Sequence, residues 1–494
     1  MNILLIYPEY PETFWSFKCA LKFISKKAVN PPLGLLTVAA MLPEQWNKKV
    51  VDLNVEKLKN TDIEWADYVY ISAMIIQKDS VKKIIEKVKS YHVKIVAGGP
   101  LFTASYDEFE LIDHFVLNEA EITLPLFLED LNKGTPQKIY TSQEFPDLEK
   151  TPVPLYELIN LKKYLSMNIQ YSRGCPFNCE FCNITALFGR KVRTKSKYQV
   201  LAELESLYSL GWKGNVFFVD DNFIGNKFKL KNEILPAIIG WMKRRKQPFT
   251  FSTETSINLS DDDELMTMMT EAGFDEVFIG IETPNEKSLE ECNKFQNKNR
   301  NLLDSIKKIQ KSGFEVTAGF IVGFDNDSET IFKRQIEFIE NSNIIVAMVG
   351  LLNAPKNTQL YYRLQNENRL LKNITGSNTD FSLNFIPKMN SDDLVKGYKN
   401  ILKNIYSAKP YYARVMKLLK ENKKIKKKIF RFRFMHIKAF FQSMVVLGIK
   451  DTGRFYYWKL LIWSLFNKPR KSFPLAITYA IYGFHFRKVF AECI

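Results

Sequence analysis

Short apolar runs alternate with amphipathic stretches through the first 140 residues. The runs 3–7, 50–53, 68–73, 94–97 and 114–117 predict strands. Between them, residues 80–89 place Val81, Ile84, Ile85 and Val88 on one helical face. This alternation predicts an α/β domain over residues 1–140, doubly wound and Rossmann-like, with a parallel sheet. Ligands of such sheets sit at the carboxyl ends of strands. Here those ends carry Pro8 to Tyr10, Ser72 to Met74, Gly98-Gly99-Pro100 and Asn118 to Glu121. Residues 141–165, interrupted by Pro146, Pro152 and Pro154, predict a linker. A second series follows over residues 166–386, with strands expected at 169–172, 215–219, 249–253, 276–281, 316–322 and 345–352. Helical patterns such as 200–210 and 302–311 fall between them. Six such units predict a partial (β/α)6 barrel, whose chemistry collects at strand carboxyl ends. Residues 387–494 predict a helical, basic C-terminal region.

Composition is ordinary for a globular protein, with 46% apolar and 25% charged residues. Charge is not evenly spread. The net charge is +16, and residues 414–494, with 19 Lys and Arg against 3 Asp and Glu, carry all of it. Six cysteines are present, three of them within eight residues. That is no disulfide framework; it fits a reduced cytoplasmic chain with one metal site. The first residues lack a basic leader and a small-residue cleavage site, so no signal peptide is expected.

The clustered cysteines are Cys175, Cys179 and Cys182, a C-x3-C-x2-C directly after the first expected barrel strand. Thiolates hold iron–sulfur clusters, and a four-iron cluster ordinarily takes four. Three leave one iron open to a non-protein ligand, the mark of a reacting metal. A structural zinc site would need a fourth Cys or His, and His92, His114, His436 and His485 are all distant in sequence.

This motif, its place in the barrel and Phe181 before its last cysteine resemble the radical S-adenosylmethionine superfamily. The resemblance implies a [4Fe–4S] cluster on the three cysteines, with S-adenosylmethionine on the open iron and a 5′-deoxyadenosyl radical released on reduction. Gly319-Phe320-Ile321-Val322-Gly323 is similar to the family's G-x-I-x-G strand beside adenine. Gly280-Ile281-Glu282 is similar to its G-x-E strand end. Asp220 and Asp221 after the second strand, and Glu254 ending the third, match its polar contacts to the cofactor. Outside that resemblance, a strand glycine serves packing and an Asp after a strand caps a helix.

Joined to this barrel, the first domain resembles the cobalamin-binding domain of the cobalamin-dependent (class B) radical methyltransferases. Gly98, Gly99 and Pro100 match the turn beside the corrin, and Ser72 and Ala73 match a second contact loop. Glu119 stands in Asn118-Glu119-Ala120-Glu121, where the family has a G-E-G-E turn. The D-x-H-x-x-G motif that supplies a cobalt-ligating histidine is absent, which implies cobalamin bound without a protein imidazole. The alternative is an α/β domain kept without its cofactor. Tyr7-Pro8-Glu9-Tyr10 and Pro31-Pro32-Leu33-Gly34 resemble the branch that contains the hopanoid C-2 methylase.

The resemblance implies methyl transfer to an unactivated carbon of an apolar substrate, a polycyclic lipid in that branch, with an external electron donor of flavodoxin or ferredoxin type. A radical cyclase or oxidoreductase without methyl transfer is the rival enzyme. A cluster-bearing RNA-binding or sensor protein is the rival of another class. The tail interleaves lysines and arginines with aromatics, as in Phe430-Arg431-Phe432-Arg433-Phe434 and Phe455-Tyr456-Tyr457-Trp458. Such a pattern suits peripheral contact with an anionic membrane at its inner face, or a basic helical domain with its own aromatic core. Nucleic acid ranks behind both. The longest uncharged run of the tail, 472–486, has 15 residues and contains Pro474; a span needs about 20, so no transmembrane helix is expected.

Overall fold

The computed structural model describes residues 1–371, 376–377, 380–421, 434–467 and 469–491. They form two compact units, the first of residues 1–11, 27–176 and 182–249, the second of residues 12–26, 177–181 and 250–494.

In the first unit six strands build one parallel sheet: β1 (Asn2–Tyr7), β2 (Asn47–Asp52), β3 (Tyr68–Ser72), β4 (Lys94–Gly98), β5 (His114–Val116) and β6 (Ile139–Tyr140). Their order is β2-β1-β3-β4-β5-β6. Both faces are covered, so Ile3, Leu4, Leu5 and Ile6 are all fully buried, which is why the strands read as unbroken apolar runs. The helix Lys78–Lys89 buries Val81, Ile84, Ile85 and Val88, as their spacing predicts. Strand order reverses between β1 and β3, the place where doubly wound sheets open a crevice.

The same unit holds β7 (Ser166–Ile169), β8 (Ser172–Arg173), β9 (Arg193–Thr194) and β10 (Asn215–Phe218). β7 pairs with β10 in parallel, and β8 with β9 antiparallel. The strand expected at 169–172 therefore lies three residues earlier. The amides of Tyr171 and Ser172 donate to the Asp220 carboxylate instead of to a strand, turning the chain out of the sheet. The cysteine motif consequently follows the short β8 hairpin arm rather than the first barrel strand itself.

The second unit continues the βα series with β11 (Thr250–Thr255), β12 (Phe274–Glu282), β13 (Glu315–Val322) and β14 (Ala347–Leu351), successive parallel neighbours. Helices Asp263–Ala272, Leu302–Ser312 and Thr330–Ser342 connect them. Leu302–Ser312 shows why: Asn301 accepts from the Asp304 amide as its cap, Leu302, Ile306 and Ile309 are buried, and Gly313 at φ 114° ends it. With β7 and β10 the six expected βα strands are present, and α/β is the fold class.

Among the described residues six further α-helices follow in this unit: Gln359–Asn366, Ser391–Tyr406, Ala408–Glu421, Phe434–Val445, Arg454–Phe466 and Pro469–Val489. Residues 12–26 pack among them, Phe14 stacking on Phe486 with centroids 4.5 Å apart. Cys19 accordingly belongs here, and the described residues of the N-terminal sheet domain contain no cysteine. Among the described residues no helix is long and apolar enough to cross a membrane. The basic run 423–428, residues 430–433 and Lys468 lie outside the described residues.

Candidate active site

In the first unit, Ser72 and Gly98 end adjacent strands in register, with Ala73 and Gly99 following. Gly99 has φ 89°, and a side chain there would fall 2.7 Å from Ser72 Oγ, so only glycine lets the two strand-end loops close together. Pro100 then opens the helix Pro100–Ser105. A cavity of about 50 Å³ lies at this edge, lined by Tyr70, Ser72, Gly98, Gly99, Val116 and Asn118 among others. The Tyr70 hydroxyl is buried beside it without a hydrogen-bond partner. The side-chain-free turn and the orphaned hydroxyl at the carboxyl edge fit a ligand laid against the backbone there.

Neither histidine of this domain is at that edge. His114 opens β5 and bonds the Gln137 carbonyl through Nδ1 at 2.6 Å. His92 sits in the turn before β4 and is exposed. Both lie at the amino ends of their strands, away from Gly98 and Ser72.

Glu119 is buried, and both of its oxygens are engaged. Arg173 Nη1 is 2.6 Å from one and Arg193 Nη2 is 2.7 Å from the other. Arg173 also reaches Glu121 at 2.7 Å. These residues open the helix Ala120–Asn132, where carboxylates favour the helix dipole. Asp220 is buried and Asp221 half-buried after β10. Burial pushes their carboxyls up, to about 7 and about 6, against hydrogen bonds that pull the other way. Asp220 accepts from Ser172 and Tyr171, and Asp221 from the Gly174 amide. Together they fix the backbone that leads into Cys175. Gly174, at φ 90°, has no room for a side chain, which would fall 2.7 Å from the Lys191 carbonyl. The Cys175 amide donates to the Gly189 carbonyl at 3.3 Å. Cys175 and Cys182 are half-buried, and both count with this unit.

Cys179, Glu180 and Phe181 count with the second unit. Cys179 is 9% exposed, and Gln296 Nε2 donates to its sulfur at 3.7 Å. The Glu180 amide donates to the Cys292 carbonyl at 3.0 Å, and its carboxylate takes Arg363 at 2.6 and 3.2 Å. Asp325 holds the same arginine at 3.0 Å and Arg369 at 2.6 Å, and their guanidinium groups pull its carboxyl down, to about 2, against burial. Phe181 packs on a small core that includes Phe324, Leu352 and Leu360.

In the strands of this unit Gly280 and Gly319 stand opposite each other in register. A side chain on Gly280 would collide with the Glu282 carboxylate and Lys294; one on Gly319 would fall 3.0 Å from the Phe278 ring. Glu282 is buried at φ 64° and pairs with Lys294 Nζ at 2.7 Å. Gln335 Nε2 ties the Glu282 and Ile321 carbonyls together, at 3.2 and 2.7 Å. Gly323, at φ 107°, donates its amide to Asp327 at 3.0 Å. Glu254 is half-buried near the end of β11. Bare glycines beside a strained, buried carboxylate fit a ligand carrying both an apolar face and a cationic group.

The cysteine loop offers three thiols and no histidine, the donor set of a four-iron cluster with one iron left open. Cys292, Lys294, Gln296 and Arg363 were not legible in the sequence. They reach Cys179 or Glu180 across more than a hundred residues, and their segments carry no motif.

Comparison with known proteins places these features. The B12 binding domain family matches residues 24–128, the Radical SAM superfamily residues 169–339, and a domain of unknown function residues 358–494. An uncharacterised methyltransferase of Synechocystis is 42% identical over 98% of this chain and 91% of that protein. The hopanoid C-2 methylase of Rhodopseudomonas palustris is 34% identical over 77% of this chain and 73% of its own. The fold is similar to the cobalamin-dependent S-adenosylmethionine radical enzyme OxsB, with a TM-score of 0.64 at 15% identity, covering 99% of this chain and 80% of that one. The chain belongs to the cobalamin-binding radical S-adenosylmethionine methyltransferases, enzymes whose cofactors are a [4Fe–4S] cluster, S-adenosylmethionine and cobalamin.

Proposed function

We propose that the enzyme methylates an unactivated carbon of an apolar, polycyclic lipid. The 34% identity to a hopanoid C-2 methylase over most of both chains carries this reading. When bound, the cluster and S-adenosylmethionine supply a hydrogen-abstracting radical, and cobalamin supplies the methyl group.

The chain's own residues bind, orient and exclude water. Cys175, Cys179 and Cys182 hold the cluster, and Gln296 steadies the Cys179 sulfur with an N–H donor. Glu282, aligned by Gln335 and Lys294, would take the amino end of S-adenosylmethionine, while Gly280, Gly319, Ile321 and Gly323 would line its flat part. Asp220 and Asp221 set the backbone into Cys175, and Glu254 adds a polar contact. Ser72, Ala73, Gly98, Gly99 and Pro100 cradle the corrin. Glu119 acts through Arg173 and Arg193, since both its oxygens are taken. A flavodoxin- or ferredoxin-type protein delivers the electron.

Mass spectrometry of lipids extracted from cells with and without the protein tests the substrate. A polycyclic lipid heavier by one methyl group should appear only with the protein, and unchanged lipid profiles would overturn the reading. The cobalamin arrangement has its own test. The cobalt(II) state of the loaded enzyme should show no protein nitrogen coupling by electron paramagnetic resonance, because His92 and His114 are at the wrong end of the sheet. An imidazole signal would contradict it.

A further inference from the structure

The helices Phe434–Val445 and Arg454–Phe466 of the second unit leave apolar side chains in water. Along the first helix and the wide turn after it (Val446–Lys450), Ile437, Phe441, Val445 and Ile449 are exposed at a constant spacing of four. Along the second, Phe455, Trp458, Ile462, Leu465 and Phe466 are exposed at helical spacing, Phe455 at 70% and Phe466 at 83%. The opposite sides of these helices are already packed: Ala439, Ser443 and Leu447 on one, Tyr457, Leu460, Leu461 and Ser464 on the other, are buried. The two elements lie side by side. Ser443 Oγ meets the Tyr457 hydroxyl at 2.9 Å, and Trp458 Nε1 donates to the Gly448 carbonyl at 3.0 Å. Each helix is therefore apolar on two faces, one inside the protein and one in water. A run of exposed aliphatic and aromatic side chains on adjacent helices marks a contact surface.

Charge decides what covers it. Lys438, Lys450, Arg454 and Lys459 are exposed on the same two helices. Their one acidic residue, Asp451, is held by Arg487 at 2.7 Å. In sequence the pair is flanked by the lysines of 423–428 and by Lys468, Arg470 and Lys471. A second copy of the chain would bring like charges together. Nucleic acid would meet the cations but leave Ile437, Val445, Ile449, Ile462 and Leu465 in water. A bilayer with anionic headgroups takes both, with the apolar stripes among the acyl chains and the cations at the phosphates.

We infer that the stripes on Phe434–Val445 and Arg454–Phe466 form a docking face that lies in the surface of an anionic phospholipid bilayer without spanning it. Its purpose rests on the lipid-substrate reading: an enzyme for a bilayer-dissolved substrate must work at the bilayer. The face itself does not depend on that reading.

Flotation of the full-length protein with phosphatidylcholine vesicles, with and without phosphatidylglycerol, at low and high salt, is the test. Wild type should float with the anionic vesicles at low salt and be weakened by high salt, since exposed charges are screened beyond about 10 Å at 0.1 M. The triple variant Phe441→Ser, Phe455→Ser, Phe466→Ser changes only exposed positions, so its thermal unfolding should match wild type, while its vesicle partition falls about tenfold or more. Lys450→Glu with Lys459→Glu should also lose binding. If the serine variant floats like wild type, attachment is electrostatic and the apolar face is refuted. If wild type ignores anionic vesicles and instead dimerises through these residues, or prefers RNA, the face belongs to another partner and the inference is refuted. Substrate dispersed in detergent separates the two claims. A serine variant that methylates in detergent but not in vesicles supports docking; wild type that binds vesicles but methylates no lipid retires the substrate reading and leaves the face standing.

Discussion

Alanine at Cys175, Cys179 or Cys182 abolishes the cluster and with it all cleavage of S-adenosylmethionine to 5′-deoxyadenosine. Each thiolate holds one iron of a cluster that has only three protein ligands, so no spare donor replaces a lost one. Cys292 is buried within electrostatic range of Cys179, and burial pushes its thiol well up, which disfavours the thiolate a cluster needs. Rescue by a fourth cysteine is therefore not expected. Anaerobic reconstitution with iron counting reads the cluster, and chromatography after dithionite reduction reads 5′-deoxyadenosine. Zinc in place of iron, or full iron with all three cysteines replaced by alanine, would overturn the assignment.

Glu119→Ala destabilises the first unit by about 3–5 kcal/mol, the range for removing one partner of a buried ion pair. Its carboxylate answers two guanidinium groups, both nearly buried, and the substitution leaves Glu121 to serve Arg173 while Arg193 loses its ionic partner among the contacts above. Glu119→Gln keeps the shape and one acceptor, so it should lose less. Urea unfolding compares the three proteins. The pH dependence follows from Glu121. Burial pushes its carboxyl up, and the charge and hydrogen bonds of Arg173 more than reverse this, leaving it below its ordinary value. A carboxylate lowered by folding contributes stability above its unfolded pKa and loses it as pH falls through the folded one. The Glu121–Arg173 contribution should therefore be lost on acidification through the carboxylate range, so wild type and Glu119→Ala should be compared at matched pH. An alanine variant as stable as wild type would show that the network is dispensable.

Much of the fold was legible because parallel strands buried on both faces, such as β1, leave long apolar runs. The barrel's first strand was misplaced for the converse reason. β7 alternates Ser166, Met167, Asn168 and Ile169, with polar residues at every second position, whereas Tyr171 is fully buried outside any strand and drew the reading forward. The cysteines were legible because few chemistries need three thiols at that spacing. Arg363 and Gln296 were not, because their meaning lies in a contact that only folding creates. The C-terminal stripes are an intermediate case. Apolar residues every four positions predict a buried helix face, and Ser443, Leu447 and Tyr457 obey; only the structure shows that Phe441, Ile449 and Phe455 form a second face in water.

The bonds at Glu180 bear on how the cofactor is installed. Its amide is tied to Cys292, its carbonyl to the Leu360 amide at 3.0 Å, and its carboxylate to Arg363, all between protein groups. None of these bonds passes through iron, so the middle of the cysteine loop is expected to keep its course without the cluster. Metal-dependent folding, as in small zinc domains, makes loss of the ion and loss of structure one event. Here the two should be separable: a bleached enzyme would offer a socket already shaped rather than a chain that must fold around its iron, and its thermal unfolding should stay close to that of the loaded protein.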